Sequence, residues 1–192
     1  MISCRRSKIL DVGCGHGSAV AALRRCGHES YGIDPTVRIL NIALELSNPA
    51  WFRQLGAADL VPRTLLDAGL PDRYDALLLA GNVAAFLTTA ELEFVFNTAA
   101  ILLRPGGRLI IGTTVEAAGG PADQDAAASG SPLQLQNRFA DWHLGPFLDS
   151  SRWSVSVFVG SQPASDPHHT TQVDLTSSEG IFVLDRTRDA AQ

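Results

Sequence analysis

The chain has 192 residues, of which 45% are apolar and 18% charged, and its formal net charge is −5. That composition suits one globular domain with a substantial core and excludes a largely disordered chain. A phosphate-tracking surface needs clustered Lys and Arg, so no nucleic acid partner is expected. The longest apolar run, residues 76–80, falls far short of the ~20 residues of a membrane span. The N-terminus lacks the apolar stretch of a signal peptide, and Cys4, Cys14 and Cys26 show no CxxC spacing. These features together predict a cytoplasmic protein with no membrane partner.

Strand and helix patterns alternate along the chain, which predicts an α/β fold. Ile9 to Val12 reads as a buried strand that ends in glycines, and Ser18 to Cys26 as a helix stopped by Gly27. His28 to Ile33 is a second strand. Asp34-Pro35 opens a second helix, with Val37, Leu40 and Leu44 on one face. Trp51 to Leu55 is a weaker third strand, and Tyr74 to Ala80, unbroken in its apolar character, is a central fourth.

Thr88-Thr89-Ala90-Glu91 is a capping box. It opens a helix with Leu92, Val95, Phe96, Ala99 and Leu103 at helical spacing, ended by the turn Arg104-Pro105-Gly106-Gly107. Arg108 to Thr113 is a fifth strand, and residues 117–131 read as a loop holding at most a poor helix. Leu133 to Phe139 and Trp153 to Val159 form a final strand pair. Residues 1–160 are thus expected to make a single domain, a doubly wound, mostly parallel sheet with a C-terminal antiparallel pair. Residues 161–192 read as a loose polar tail in which Gly180 to Leu184 could add an edge strand.

The strongest chemical signal is Asp11-Val12-Gly13-Cys14-Gly15-His16-Gly17, between a strand and a helix. Glycines let the backbone approach a ligand closely, and the helix start beyond them offers free amides. The spacing is GxGxG, not the GxGxxG of a pyrophosphate-binding fingerprint. Asp11 would repel a pyrophosphate but suits the ammonium group of a methionine moiety. Asp34, ending the second strand, can accept hydrogen bonds from ribose hydroxyls or cap a helix. Asp59, in Ala57-Ala58-Asp59-Leu60, can accept from an adenine amino group while the Leu60 N–H meets a ring nitrogen, unless it is a solvated loop acid. Ala80-Gly81-Asn82-Val83 follows the fourth strand. Ligands of open α/β sheets bind outside the carboxyl ends of the strands, so Asn82 faces either a ligand or a simple turn.

Together these pieces resemble the class I S-adenosylmethionine-dependent methyltransferases, through DVGCGHG at 11–17, YGIDP at 31–35, AADL at 57–60, YDALLLAGNVAAFL at 74–87 and LLRPGGRLIIG at 102–112. RFADWHLGPF at 138–147 and WSVSVFV at 153–159 are similar to the end of small bacterial members with an AGNV loop. The resemblance implies a Rossmann-like fold and S-adenosylmethionine as cofactor. It puts Asp11, Gly13, Cys14, Gly15 and Gly17 at the methionine and ribose side, Asp34 and Pro35 at the ribose diol, Asp59 and Leu60 at the adenine. Ala80, Gly81 and Asn82 then belong to the cofactor-binding set, with Asn82 facing the cofactor or the acceptor. The activity implied is direct methyl displacement onto a small-molecule acceptor, with no general base assigned and no metal.

Members of the family carry closing helices ahead of the first strand, for which the residues before Lys8 leave no room. The expectation is therefore a pocket open on the side of Asn82 and Phe86, with a partner chain as one way to complete the lid. Two rival readings stay open: a catalytically silent binder of the same cofactor, and a nucleotide-dependent oxidoreductase. His168 and His169, near Asp166 and Asp174, lack zinc-ligand spacing. His143 reads as a packing or capping residue before it reads as a base.

Overall fold

Residues 6–160 are described by a computed structural model of the chain. The apolar run after Lys8 forms β1 (Lys8–Val12), and left-handed glycines at 13, 15 and 17 end it. The following helix, α1 (Ser18–Arg25), comes next and Gly27 closes it with φ 87°. β2 (Glu29–Ile33) lies parallel to β1, with Asp11 beside Gly32. Helix α2 (Val37–Leu46) starts two residues later than its sequence suggests, with Thr36 as its cap. Its inward face is Leu40 and Ala43, while Val37 is exposed. The reason is that Asp34 holds the chain extended at Pro35 by accepting the Thr36 N–H.

The third strand shrinks to β3 (Phe52–Arg53), because Pro49–Trp51 winds into a 3₁₀ turn capped by Asn48. A short helix that sequence patterning missed, α3 (Pro62–Asp67), opens on a proline in its first turn and buries Leu65. β4 (Tyr74–Leu79) is central and parallel to β1. The Thr88–Glu91 capping box is present in full at the head of α4 (Thr89–Leu102). The Thr88 N–H donates to Glu91 Oε2 at 2.8 Å, and the Glu91 N–H donates to Thr88 Oγ1 at 3.2 Å.

The turn at 104–107 does not separate helix from strand as expected. It is an irregularity inside β5 (Leu103–Thr114), between the pairs Tyr74–Leu103 and Ala76–Arg108. An ion pair of 3.0 Å from Arg104 to Asp75 fastens it. Residues 121–129, expected as loop, form α5 (Pro121–Ser129). Small residues permit this: Ala127 and Ala128 are buried, and the Gln124 side chain donates to the Gly119 carbonyl at 2.7 Å. β6 (Leu133–Phe139) and β7 (Trp153–Gly160) are the antiparallel pair.

The sheet order is β3-β2-β1-β4-β5-β7-β6, with β7 antiparallel to both neighbours. One face buries Leu10, Ile33, Leu77, Leu109 and Phe158 against Val95 and Phe96 of α4. Phe96 and Phe158 meet edge to face at 4.8 Å and 77°, and truncating such a ring costs about 3–5 kcal/mol. The other face carries Ile9, Ala76, Ile110, Val155 and Val157. The described part of the chain is therefore a doubly wound α/β domain of the expected kind.

The expected edge strand at Gly180 to Leu184, the whole of 161–192, and His168 and His169 lie outside the described residues. β7 reaches Gly160 with both partner strands in place. Truncation after Gly160 is accordingly expected to leave the thermal midpoint and cofactor affinity nearly unchanged. Loss of folding in circular dichroism would instead put residues 180–184 into the sheet.

Candidate functional site

Parallel β1, β2 and β4 bring three turns to one edge of the sheet. The N–H groups of Gly13 and Cys14 both donate to the Ile33 carbonyl, at 2.8 and 3.0 Å, which binds the glycine turn to the end of β2. The Gly15 N–H donates to Asp34 Oδ2 at 3.0 Å, and the Thr36 N–H donates to Asp34 Oδ1 at 2.8 Å. Asp34, a buried carboxylate, thus clips the glycine turn to Thr36, the residue that caps α2, and is not itself that cap. Gly17 sits at φ 76°, where a Cβ would lie 2.6 Å from the Phe52 ring. Both space and conformation demand glycine there.

The turn after β4 lies directly on the glycine turn, since a Cβ on Gly13 would come within 2.7 Å of the Val83 methyls. Asn82 is left-handed, φ 66°, and its side chain is committed. Its Oδ1 accepts from Thr113 Oγ1 at 3.0 Å and the Thr114 N–H at 2.7 Å, while Nδ2 donates to Thr114 Oγ1 at 3.1 Å. Asn82 therefore pins the turn to the end of β5. Ala80 is partly buried, and Gly81 is exposed with open space where a Cβ would stand. Phe86, at the end of the same turn, is 84% exposed.

Asp11 is buried on the floor of this assembly at 2% exposure, and its Oδ1 has no hydrogen-bond partner among the described residues. Burial, and after it the charge of Asp34, push its pKa up from 3.8 to about 7. A buried carboxylate oxygen without a donor is costly, and a donor from outside the described residues, a water or a ligand's N–H, would relieve that cost. Burial also pushes the Cys14 thiol far above its ordinary range. Cys14 packs against Gly32 and offers shape, not nucleophilic chemistry.

Asp59 lies beyond the third strand. It stands in a 3₁₀ turn, Ala57–Asp59, where its Oδ2 accepts the Gly56 N–H at 2.8 Å. The turn abuts Pro35, which would lie 3.6 Å from a Cβ on Gly56. Asp34, Pro35 and Asp59 are thereby brought to one side of the glycine turn. Leu60 buries its side chain, and its N–H makes a long 3.4 Å bond to the Ala57 carbonyl. One neighbour of the site, Ile39, lies over Gly15 and sits in no local pattern that would have marked it. Trp142, within the 138–147 segment, lies over Gly112.

Residues 9–107, just over half of the chain, match the Methyltransferase domain family. The chain belongs to that family. The fold is shared with a TehB-like SAM-dependent methyltransferase of Corynebacterium glutamicum, at 28% identity and a TM-score of 0.69, covering 83% of each chain. Magnesium protoporphyrin IX methyltransferase of Synechocystis, solved with bound S-adenosylmethionine, shares the fold at 18% identity and a TM-score of 0.60, over 81% of this chain and 71% of that one. A ubiquinone biosynthesis O-methyltransferase of Rhizobium etli is 30% identical over 110 residues, 55% of this chain and 40% of that protein. The chain thus spans well under half the length of the curated relatives it matches. Among the described residues no helix is long and apolar enough to cross a membrane, and no cluster of His, Cys, Asp and Glu could hold a metal.

Proposed function

We propose that the protein binds S-adenosylmethionine along the carboxyl edge of β1, β2 and β4 and transfers its methyl group to a small-molecule acceptor. The observation that carries this reading is the unpartnered, buried Asp11 oxygen directly ahead of the glycine turn. Asp11 receives the ammonium group of the methionine moiety. Gly13, Cys14, Gly15 and Gly17 supply a close backbone surface, and Asp34 with Pro35 meets the ribose diol. Asp59, through the oxygen not used by Gly56, and the Leu60 N–H meet the adenine. Ala80, Gly81 and Asn82 border the methyl.

The cofactor supplies an electrophilic methyl on a sulfonium. What the chain adds is alignment and exclusion of water, and holding reactants in line provides much of the rate in such displacements. A small-molecule acceptor agrees with the activity of the Rhizobium etli relative, an O-methyltransferase of ubiquinone biosynthesis. A cytoplasmic site of action fits the free thiols of Cys14 and Cys26. Transfer of labelled methyl to an acceptor panel tests the activity. Product in no case, with cofactor bound normally, would leave a silent binder.

Asp59→Ala is expected to weaken cofactor binding less than changes at Asp11 or Asp34, because only the adenine end loses a partner. It should also blunt discrimination between adenosyl and inosyl analogues in competition binding. Equal treatment of the two analogues by the wild-type chain would make Asp59 a turn cap alone.

Phe86 presents an exposed aromatic ring, 84% accessible, beside the methyl-side turn. We assign it to a closing element, donated by a partner chain, that shuts the pocket during transfer. Hydrogen exchange over residues 81–86 is expected to be fast in the isolated unliganded chain and slow with cofactor. Strong protection without cofactor would show the loop already closed.

A further inference from the structure

A tightly built loop between β6 and β7 holds an indole over the sheet face that Asp11 shares. The Asp141 Oδ1 accepts the His143 N–H at 2.7 Å and the Gly145 N–H at 3.2 Å, and the Ala140 N–H donates to the Gly145 carbonyl at 2.9 Å. Leu144 is held left-handed, φ 63°, a conformation unusual for a branched residue. The Trp142 ring is set against β5 so closely that any Cβ at Gly112 would collide with its Cζ2. Yet Trp142 keeps 41% of its surface exposed.

Sheet register places this ring relative to Asp11. Asp11 pairs with Leu78, and Leu78 with Ile110, so the three share a row and a face. Gly112 is two residues further along that face. At ~4.8 Å between strands and ~3.3 Å per residue, it lies about 12 Å from Asp11, toward the carboxyl edge. The Gly112 carbonyl also accepts the Asn82 N–H at 3.2 Å, which ties the indole's seat to the methyl-side turn.

We propose that Trp142 is the specificity-determining residue for the methyl acceptor, and that the acceptor is an uncharged planar ring stacked on its indole. The proposal rests on the methyltransferase reading above. Asp141, the carboxylate nearest in sequence, is engaged by loop amides, so the loop presents a π face more than a charge. Planar partners gain from offset stacking on such a face.

The test uses the full chain saturated with S-adenosylhomocysteine, with catechol as probe and cis-1,2-cyclohexanediol and choline as controls, followed by saturation-transfer NMR. Catechol is expected to bind, and cyclohexanediol, with the same hydroxyls but no planar ring, to fail. Trp142→Ala should weaken catechol about tenfold, while Trp142→Phe stays near wild type. Gly112→Ala, which pushes the ring off its seat, should mimic Trp142→Ala. S-adenosylhomocysteine affinity should be unchanged in the two Trp142 variants. Wild-type affinity for catechol in Trp142→Ala, or equal binding of cyclohexanediol, would overturn the assignment. Choline binding in place of catechol, or no catechol binding at all, would overturn the acceptor class. Failure of the wild-type chain to bind S-adenosylhomocysteine would overturn the underlying reading instead.

Discussion

Replacing Asp11 by Asn is expected to cost at least a hundredfold in S-adenosylmethionine affinity while making the unliganded protein more stable at neutral pH. The two effects have one cause. In the folded chain Asp11 titrates at about 7, against 3.8 as its ordinary value, because burial and the Asp34 charge disfavour its ionised form. Between those pH values the folded chain holds a proton that the unfolded chain has lost. Stability contributed by this group therefore falls as pH rises from about 4 to about 7, by up to about 4 kcal/mol at 1.36 kcal/mol per pH unit. Asn cannot ionise, so the variant escapes that loss. It also cannot offer a carboxylate to an ammonium, and a charge-assisted bond in a buried setting is among the stronger ones. Denaturant unfolding at pH 5 and pH 8, with and without cofactor, checks both halves. A variant that binds normally would show that Asp11 is a structural carboxylate only.

Asp34→Ala is expected to weaken cofactor binding by roughly ten- to a hundredfold or more, from lost bonds of about 1.5–3 kcal/mol each. The structure adds a second consequence. Asp34 holds the Gly15 and Thr36 N–H groups, so its removal loosens the glycine turn even without ligand. It also removes the charge that helps raise the Asp11 pKa. The variant should therefore show a lower thermal midpoint together with an Asp11 titration shifted toward its ordinary range. Calorimetric affinity and NMR titration of Asp11 measure these separately. An unchanged dissociation constant would reduce Asp34 to a clip between the turn and α2.

What the sequence shows and what it hides divide along the range of the interactions. The Thr88–Glu91 cap, the β4 run and the glycine turn rest on neighbouring residues, and each stands where the pattern put it. Helix α5 was hidden because Ala-rich, polar residues give no apolar stripe. It is held by its fit against α4 and by Gln124 reaching back to Gly119. β3 was overdrawn because Trp51 and Leu55 are apolar enough for a strand, yet Asn48 and Pro49 wind the first of them into a turn. In the site, Asp11, Asp34 and the glycines were legible from the order of motifs. That Asn82 spends its amide on Thr113 and Thr114, and that Trp142 rests on Gly112, depends on pairs about thirty residues apart. No local pattern records such contacts.

The measurement that bears most directly on the central claim is a calorimetric titration of the full chain with S-adenosylmethionine and, separately, with NAD. It should be run near pH 6.5 in two buffers of different ionisation enthalpy. The account predicts one cofactor site per chain for S-adenosylmethionine and no binding of NAD. It also predicts proton release on binding, as the ammonium draws Asp11 into its ionised form. Affinity should climb up to about tenfold per pH unit below 7 and level off above it. Binding of NAD, or S-adenosylmethionine binding with no proton released and no pH dependence, would contradict it.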